Sequence, residues 1–308
     1  MAASERNARL LRLFGLAGAA ALVAALIAAP AASAGLISPQ ADSPNADDIK
    51  FLYDMIGVVA LVVFVVVEGL LIWSMLKFKA RKGAVAAQIH GNTRLEIGWT
   101  VGAALILVVI SVVTFIKIPS IVNPEPSDID ANGNPVASSV QFASTDQPAP
   151  PEGSDFLNIK VDGQQYVWRY QYPGPKDVFS YEEMVVPVGM TVTLDISSDD
   201  VAHSFWIPAL GGKMDAIPGY VNKLWFKTTR PDTYVGQCAE LCGRNHANMY
   251  SRVRAVPFDE YRAWYDRQAA AIEQAKSEAP EQREALEREQ GEQAAQGGGG
   301  AGGATDDQ

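Results

Sequence analysis

Both cysteines of the 308-residue chain, and one of its three histidines, fall in a single short run: Cys238-Ala239-Glu240-Leu241-Cys242-Gly243-Arg244-Asn245-His246-Ala247-Asn248-Met249. A second histidine, His203, lies upstream at the end of a predicted strand. Thiolate, thioether and imidazole groups select copper, zinc or iron–sulfur over hard cations. A blue-copper site takes one Cys, two His and a weak axial Met. The second Cys breaks that count. Two thiolates, two imidazoles and a thioether suit two coppers bridged by both sulfurs, each keeping one terminal His. Met249 supplies one weak axial ligand, and an oxygen such as the main-chain carbonyl of Glu240 supplies the other. Sharing charge over two bridged metals lowers the geometric change on gain or loss of an electron, which suits fast electron transfer. Two readings compete with this one. A Cys238–Cys242 disulfide is common chemistry in an exported domain, but it has no use for His203, His246 or Met249. A Cys2His2 zinc site fits in count, but Met is a poor zinc ligand.

The elements that must carry these residues follow from the pattern of apolarity. Apolar residues make up 48% of the chain and charged residues 19%. That composition excludes a wholly disordered protein, and two cysteines exclude a disulfide-stapled miniprotein. A net charge of −10 argues against a nucleic-acid partner, since phosphate binding needs clustered Lys and Arg. Residues 1–34 read as a signal peptide, with Arg6, Arg9 and Arg12 before an Ala/Leu run and Ala32-Ser33-Ala34 as the cleavage site. Two further apolar runs, about 55–76 and 97–118, are each long enough to cross a bilayer. The loop between them carries Lys77, Lys79, Arg81, Lys82 and Arg94, so it is assigned to the cytoplasm. Residues 35–118 then form a two-helix hairpin that holds everything after it on the outer side.

Residues 119–156 are rich in Pro and acid and lack Lys and Arg, which reads as a disordered acidic linker. From 157 to 265, short β-rich runs alternate with Pro, Gly and Asp turns, the pattern of a sandwich or small barrel. Residues 257–277 read as a helix with Phe258, Tyr261, Trp264 and Tyr265 on one face. The stretch 266–308 reads as the end of that helix and a disordered acidic, Gly-rich tail. The β-rich segment is close to neutral, with the acidic excess in linker and tail.

Two segments carry a specific resemblance. Asp200-Val201-Ala202-His203-Ser204-Phe205-Trp206, continuing through Lys213-Met214-Asp215-Ala216-Ile217-Pro218-Gly219, and the run Gly236-Gln237-Cys238 through Met249 resemble subunit II of the haem–copper cytochrome c oxidases. The resemblance covers about 45–118 and 156–265, in matching order. It implies a transmembrane hairpin followed by an all-β, cupredoxin-like Greek-key sandwich. It further implies a dinuclear CuA centre that accepts electrons from cytochrome c and passes them to haem a in subunit I, where oxygen is reduced and protons are pumped. The copper ligands carried over are His203, Cys238, the Glu240 carbonyl, Cys242, His246 and Met249. The Glu240 side chain would help hold a magnesium ion shared with subunit I, and haem would sit only in that partner subunit. Glu96, in Arg94-Leu95-Glu96-Ile97-Gly98-Trp99, matches an acid at the mouth of a proton pathway. Electrons enter the family's site through the first of two tryptophans around one residue. Here Tyr166 takes that place and Trp168 remains, and the two are expected on one face of a strand. Asp199, Asp200, Glu182 and Glu183 are the acids expected to steer a Lys-rich cytochrome c. The expected location is a bacterial inner membrane, with the C-terminal domain periplasmic. Two other readings are a quinol oxidase subunit II, which lacks the copper ligands present here, and a membrane-tethered copper protein acting outside an oxidase. Nitrous oxide reductase has a similar loop but needs many more histidines, and only His90 is left over.

Overall fold

A computed structural model describes residues 40–79, 83, 85, 88–135 and 156–297. The signal-peptide reading, most of the linker and the Gly-rich end lie outside these residues.

Two long helices come first: α1, Pro44–Lys77, and α2, Thr93–Val122. Both are apolar enough to cross a membrane. Their side chains, Phe64, Leu70, Leu107 and Phe115 among them, are exposed along their length; a run of that kind is stable only with lipid or another protein around it. Each helix outruns its expected span. α1 starts earlier, at Pro44, because its first turns are polar rather than unstructured: Asp48 binds Lys117 of α2 at 2.6 Å, and Lys50 binds Asp54 at 2.6 Å. α2 continues through Pro119 to Val122.

Ten strands follow among the described residues: β1 Phe156–Gln164, β2 Val167–Gln171, β3 Phe179–Tyr181, β4 Glu183–Pro187, β5 Thr191–Ser198, β6 His203–Phe205, β7 Met214–Ala216, β8 Asn222–Lys227, β9 Asp232–Gln237 and β10 Tyr250–Val256. They form a five-stranded sheet, β3-β2-β1-β5-β8, a three-stranded sheet, β4-β10-β9, and a β6-β7 ribbon. This is the expected all-β sandwich of cupredoxin type. Alternation drives it. Leu157, Ile159 and Val161 of β1 and Trp168 and Tyr170 of β2 point inward and are buried. They meet Val192, Leu194 and Ile196 of β5 and Met184, Val186 and Val253 of the facing sheet in one core. Each large apolar side chain so withdrawn from water contributes roughly 1.5–3 kcal/mol.

Two expectations of disorder are corrected. The linker is not solvated from its start. Asp128 donates its N–H to the Gly189 carbonyl at 2.7 Å, and Thr191 donates to Ser127 Oγ and the Glu125 carbonyl at 3.0 and 2.7 Å. The Lys227 ammonium, nearly buried, binds Pro126 O at 3.2 Å and Asp128 at 3.1 Å. Residues 129–135 then close a small hairpin, with Ile129 bridged to Pro135 and the Asp130 carboxylate accepting the N–H groups of Asn132 and Asn134. The tail is corrected too. α3 runs from Phe258 to Gly297, because Ala, Glu, Gln, Arg and Leu, read as low complexity, are also the strongest helix formers. Its first turns pack Tyr261 and Trp264 on the sandwich against Tyr172.

The domain is bolted to the hairpin. Asn45 donates to the Trp225 carbonyl at 2.8 Å, Trp225 Nε1 donates to the Ile121 carbonyl at 2.8 Å, and Arg230 pairs with Asp42 at 2.7 Å.

Close packing sets one position without latitude. A Cβ on Gly236, in β9, would lie 2.0 Å from the Trp206 carbonyl oxygen, a backbone atom that cannot step aside alone. Gly236→Ala is expected to lower stability by roughly 1–3 kcal/mol, read as a lower midpoint of thermal unfolding; an unchanged midpoint would refute the close approach.

Candidate metal centre

The loop 238–249 joins neighbouring antiparallel strands, β9 ending at Gln237 and β10 starting at Tyr250. Its base is closed by the Cys238 N–H on the Met249 carbonyl at 2.9 Å. It is tied to β6 by the Ala239 N–H on the Ser204 carbonyl at 2.9 Å. Within it, residues His246–Asn248 form a single 3-10 turn, which sets His246 and Met249 one above the other. β6 supplies His203, fully buried.

Those two segments bring the expected ligands together. Cys238 Sγ and Cys242 Sγ lie 3.8 Å apart, and both cysteines are buried and free. A disulfide requires about 2.05 Å, so that reading fails here. His203 Nδ1 lies 3.8 Å from Cys238 Sγ, and His246 Nδ1 lies 3.5 Å from Cys242 Sγ. The Glu240 carbonyl lies 3.2 Å from Cys238 Sγ, and Met249 Sδ lies 3.8 Å from Cys242 Sγ. Donor atoms sharing one metal at about 2.0–2.3 Å sit at such separations from one another. The set divides evenly: one imidazole and one weak donor beside each sulfur. Six donors, the two thiols and four groups around them, exceed the four of a structural zinc site and fit a pair of soft metals bridged by both thiolates.

The surroundings hold each ligand. His203 Nε2 is bonded to Asp200 Oδ1 at 2.9 Å, which leaves Nδ1 facing the sulfurs and fixes the ring as second partners of metal-binding histidines do. Burial alone would raise the Asp200 carboxyl, but hydrogen bonds from His203 and from the N–H groups of Gln165 and Val201 hold it below the usual carboxylate range. Burial, and then the neighbouring Cys238, pushes the Cys242 thiol up to about 11. The metal-free thiol therefore keeps its proton, and metal binding must displace it. On the inner side, Gly163 leaves room for two rings. A Cβ there would fall 2.9 Å from His203 Cδ2 and 3.1 Å from Trp168 Cζ3.

Other expectations change. Tyr166 and Trp168 do not share a strand face, because Gln165 and Tyr166 form the turn between β1 and β2. Trp168 is fully buried against His203 and Phe205, with ring centroids 5.8 and 5.3 Å away. Tyr166 is half-buried over the loop: a Cβ on Gly243 would meet its Oη at 2.7 Å. Asp200 is exposed and also supports a ligand histidine, and Glu183 is paired with Arg254 at 3.0 Å. The Glu240 side chain is exposed. Glu96 is far from this cluster, at the start of α2, where it accepts the Asn92 N–H at 3.1 Å while Asn92 Oδ1 accepts from Leu95. Sequence reasoning missed Gln165, whose side chain donates to the Cys242 carbonyl at 2.5 Å. Its place at a tight turn beside Gly163 was the available signal.

Comparison with known proteins follows the same division. Residues 31–116 match the family described as cytochrome c oxidase subunit II, transmembrane domain. Residues 179–256 match cytochrome c oxidase subunit II, periplasmic domain. A cytochrome c oxidase subunit 2 of Alkalihalophilus pseudofirmus is 33% identical over 75% of this chain and 62% of its own length, so the match spans less than two thirds of that protein. A probable cytochrome c oxidase subunit 2 of Rickettsia bellii is 30% identical over 72% of this chain and 80% of its own. Among solved structures, the periplasmic domain of subunit II of cytochrome oxidase (CoxB) of Bradyrhizobium japonicum is 36% identical, covering 36% of this chain and 92% of that one, with a TM-score of 0.36. With both halves matched in chain order, this chain belongs to the cytochrome c oxidase subunit II family.

Proposed function

We propose that this chain carries a dinuclear copper centre that takes electrons from a cytochrome c outside the membrane and hands them to haem a in subunit I of a respiratory oxidase. The observation that carries this reading is the even division of donors around two unbonded thiols. His203 and the Glu240 carbonyl serve Cys238, and His246 and Met249 serve Cys242. When bound, the two coppers supply a one-electron carrier. The protein's own part is to fix six donors in advance, to exclude water from Cys238, Cys242, His203 and Met249, and to orient the His203 ring through Asp200. The half-buried His246 stands at the solvent edge of the cluster. The Glu240 carboxylate, exposed on the same loop, is assigned to a magnesium ion shared with subunit I. The basic residues Lys77, Lys79 and Arg94 between the spans support a cytoplasmic loop and hence a bacterial inner-membrane protein with its copper domain in the periplasm.

Full-length protein loaded with copper should bind two ions per chain and give a spin-resonance signal shared over both metals. Cys242→Ser should abolish that shared signal. One copper per chain, or a Cys238–Cys242 disulfide after reconstitution, would refute the reading.

Tyr166 supports electron arrival better than Trp168 does. It is half-exposed and overlies Gly243, whereas Trp168 has no exposed face to offer a docking protein. Tyr166→Ala should therefore slow copper reduction by cytochrome c severalfold while leaving transfer from copper to haem unchanged. Stopped-flow reduction checks this, and a normal rate in Tyr166→Ala would remove Tyr166 from the path.

Glu96 has two separable roles, capping α2 and taking up protons. Glu96→Gln keeps a carbonyl to accept the Asn92 N–H, whereas Glu96→Ala loses that bond while Asn92 still caps the helix, a cost of about 0.5–1.5 kcal/mol. Both variants should slow oxidase turnover, and only Glu96→Ala should lower thermal stability. Normal turnover in an assembled Glu96→Gln enzyme would confine Glu96 to capping.

A further inference from the structure

We propose that Gln165 is a positioning residue that clamps the two halves of the metal centre together. The inference rests on the dinuclear copper reading. The ligands come from two separate segments, His203 on β6 and the rest on the β9–β10 loop, and Gln165 belongs to neither. It sits exposed at the tip of the β1–β2 hairpin and reaches both. Its backbone N–H donates to Asp200 Oδ2 at 2.7 Å, and the other oxygen of that carboxylate holds His203 Nε2 at 2.9 Å. Its side-chain Nε2 donates to the Cys242 carbonyl at 2.5 Å.

The need for a clamp lies at one end of the loop. Near Cys238 the loop is pinned by backbone bonds: Gln237 N–H to the Trp206 carbonyl, Ala239 N–H to the Ser204 carbonyl and Cys238 N–H to the Met249 carbonyl. Beyond Cys242 those ties stop. Gly243, Arg244 and Asn245 are exposed, and Gly243 sits at φ +130°, a conformation open chiefly to glycine. The hydrogen bonds made by His246 and Asn248 return to Gly243 and Asn245 within the loop. Among the described residues, the Gln165 side chain makes the only hydrogen bond that reaches residues 241–248 from outside the loop. Two bridging thiolates hold two metals in register only if Cys242 keeps a constant distance from Cys238. The Gln165 amide supplies that restraint. Gly243 is the matching concession, since a Cβ there would lie 2.8 Å from Gln165 Nε2.

The test uses full-length, copper-loaded protein in detergent and compares wild type with Gln165→Ala and Gln165→Lys. The backbone N–H to Asp200 survives in both variants, so the comparison isolates the side-chain bond. Lys retains a donor of similar reach; Ala has none. Two quantities are read: the rate at which an excess of chelator extracts copper, and the spin-resonance hyperfine pattern. Gln165→Ala is expected to release copper about 2- to 10-fold faster, the effect of one lost hydrogen bond, and to show changed hyperfine couplings. The thermal midpoint of the metal-free protein should move only slightly, since one hydrogen bond is lost and an exposed side chain leaves no cavity. Gln165→Lys should recover the wild-type release rate. Wild-type release and spectrum in Gln165→Ala would overturn the proposal, and so would equal acceleration in both variants. Should Gln165→Ala fail to fold, Gln165→Met, of similar length and without a donor, takes its place in the same comparison. A wild-type protein that binds fewer than two coppers would instead overturn the dinuclear reading, a separate outcome.

Discussion

Two thiols held 3.8 Å apart without a bond between them impose most of what surrounds them. In an oxidising compartment a pair of cysteines four residues apart tends toward a disulfide, and forming one here would need the sulfurs to close to about 2.05 Å. The separation is kept by the backbone rather than by the sulfurs. Cys238 directly follows β9, with its N–H fixed on the Met249 carbonyl. Cys242 lies across the loop, its carbonyl fixed on Gln165. The gap between them is the right size to be bridged by metals. Because burial and the neighbouring thiol push Cys242 up to about 11, that thiol keeps its proton at neutral pH in the metal-free protein. Loading therefore releases protons and grows more favourable as pH rises.

Glycine marks where this arrangement presses on the rest of the fold. Gly163 on β1 yields to the His203 and Trp168 rings, Gly236 on β9 to the Trp206 carbonyl, and Gly243 in the loop to Tyr166 and Gln165. These are three different approaches, of sheet to ligand ring, strand to loop and hairpin to loop. Each brings backbone closer than a side chain would allow. Close packing of this kind gives an interior low compressibility, so the donor atoms keep their separations.

Much of the site was legible before any coordinates because its chemistry needs rare residue types. A chain with two cysteines and three histidines has few ways to build a soft-metal site, and the spacing of Cys238, Cys242, His246 and Met249 leaves fewer. The membrane hairpin was legible for a similar reason, since long uninterrupted apolarity has few other uses. The misreadings occurred where composition stood in for geometry. Asp130-Ala131-Asn132-Gly133-Asn134 is a turn sequence by residue type, but the proline and acid around it give the whole stretch the composition of a disordered linker. Tyr166 and Trp168 were placed on one strand face by counting in twos, and the count fails because the turn occupies Gln165 and Tyr166. Asp200 is exposed, as a surface charge should be, but that reading leaves out its second role. Its partner, His203, is only three residues on, and a carboxylate that close to a predicted ligand histidine had a second role available.

The remaining constraint is height above the membrane. Electron transfer falls steeply with distance, so on the proposed reading the centre must be held at a fixed level relative to a partner in the bilayer. The contacts that fix the domain on the hairpin involve both helices. Asn45, in the first turn of α1, grips the Trp225 carbonyl of β8, while the indole N–H of the same tryptophan grips Ile121 near the end of α2. One residue thus receives both ends of the hairpin. Arg230 pairs with Asp42, and two residues beyond Trp225 on β8 Lys227 gathers Pro126 and Asp128 from the segment leaving the membrane. β8 pairs in turn with β5, and β5 with β1, whose far end carries the hairpin tip that touches Cys242. The path from lipid to metal ligand is therefore a continuous run of hydrogen-bonded strands, stiff enough to fix a distance.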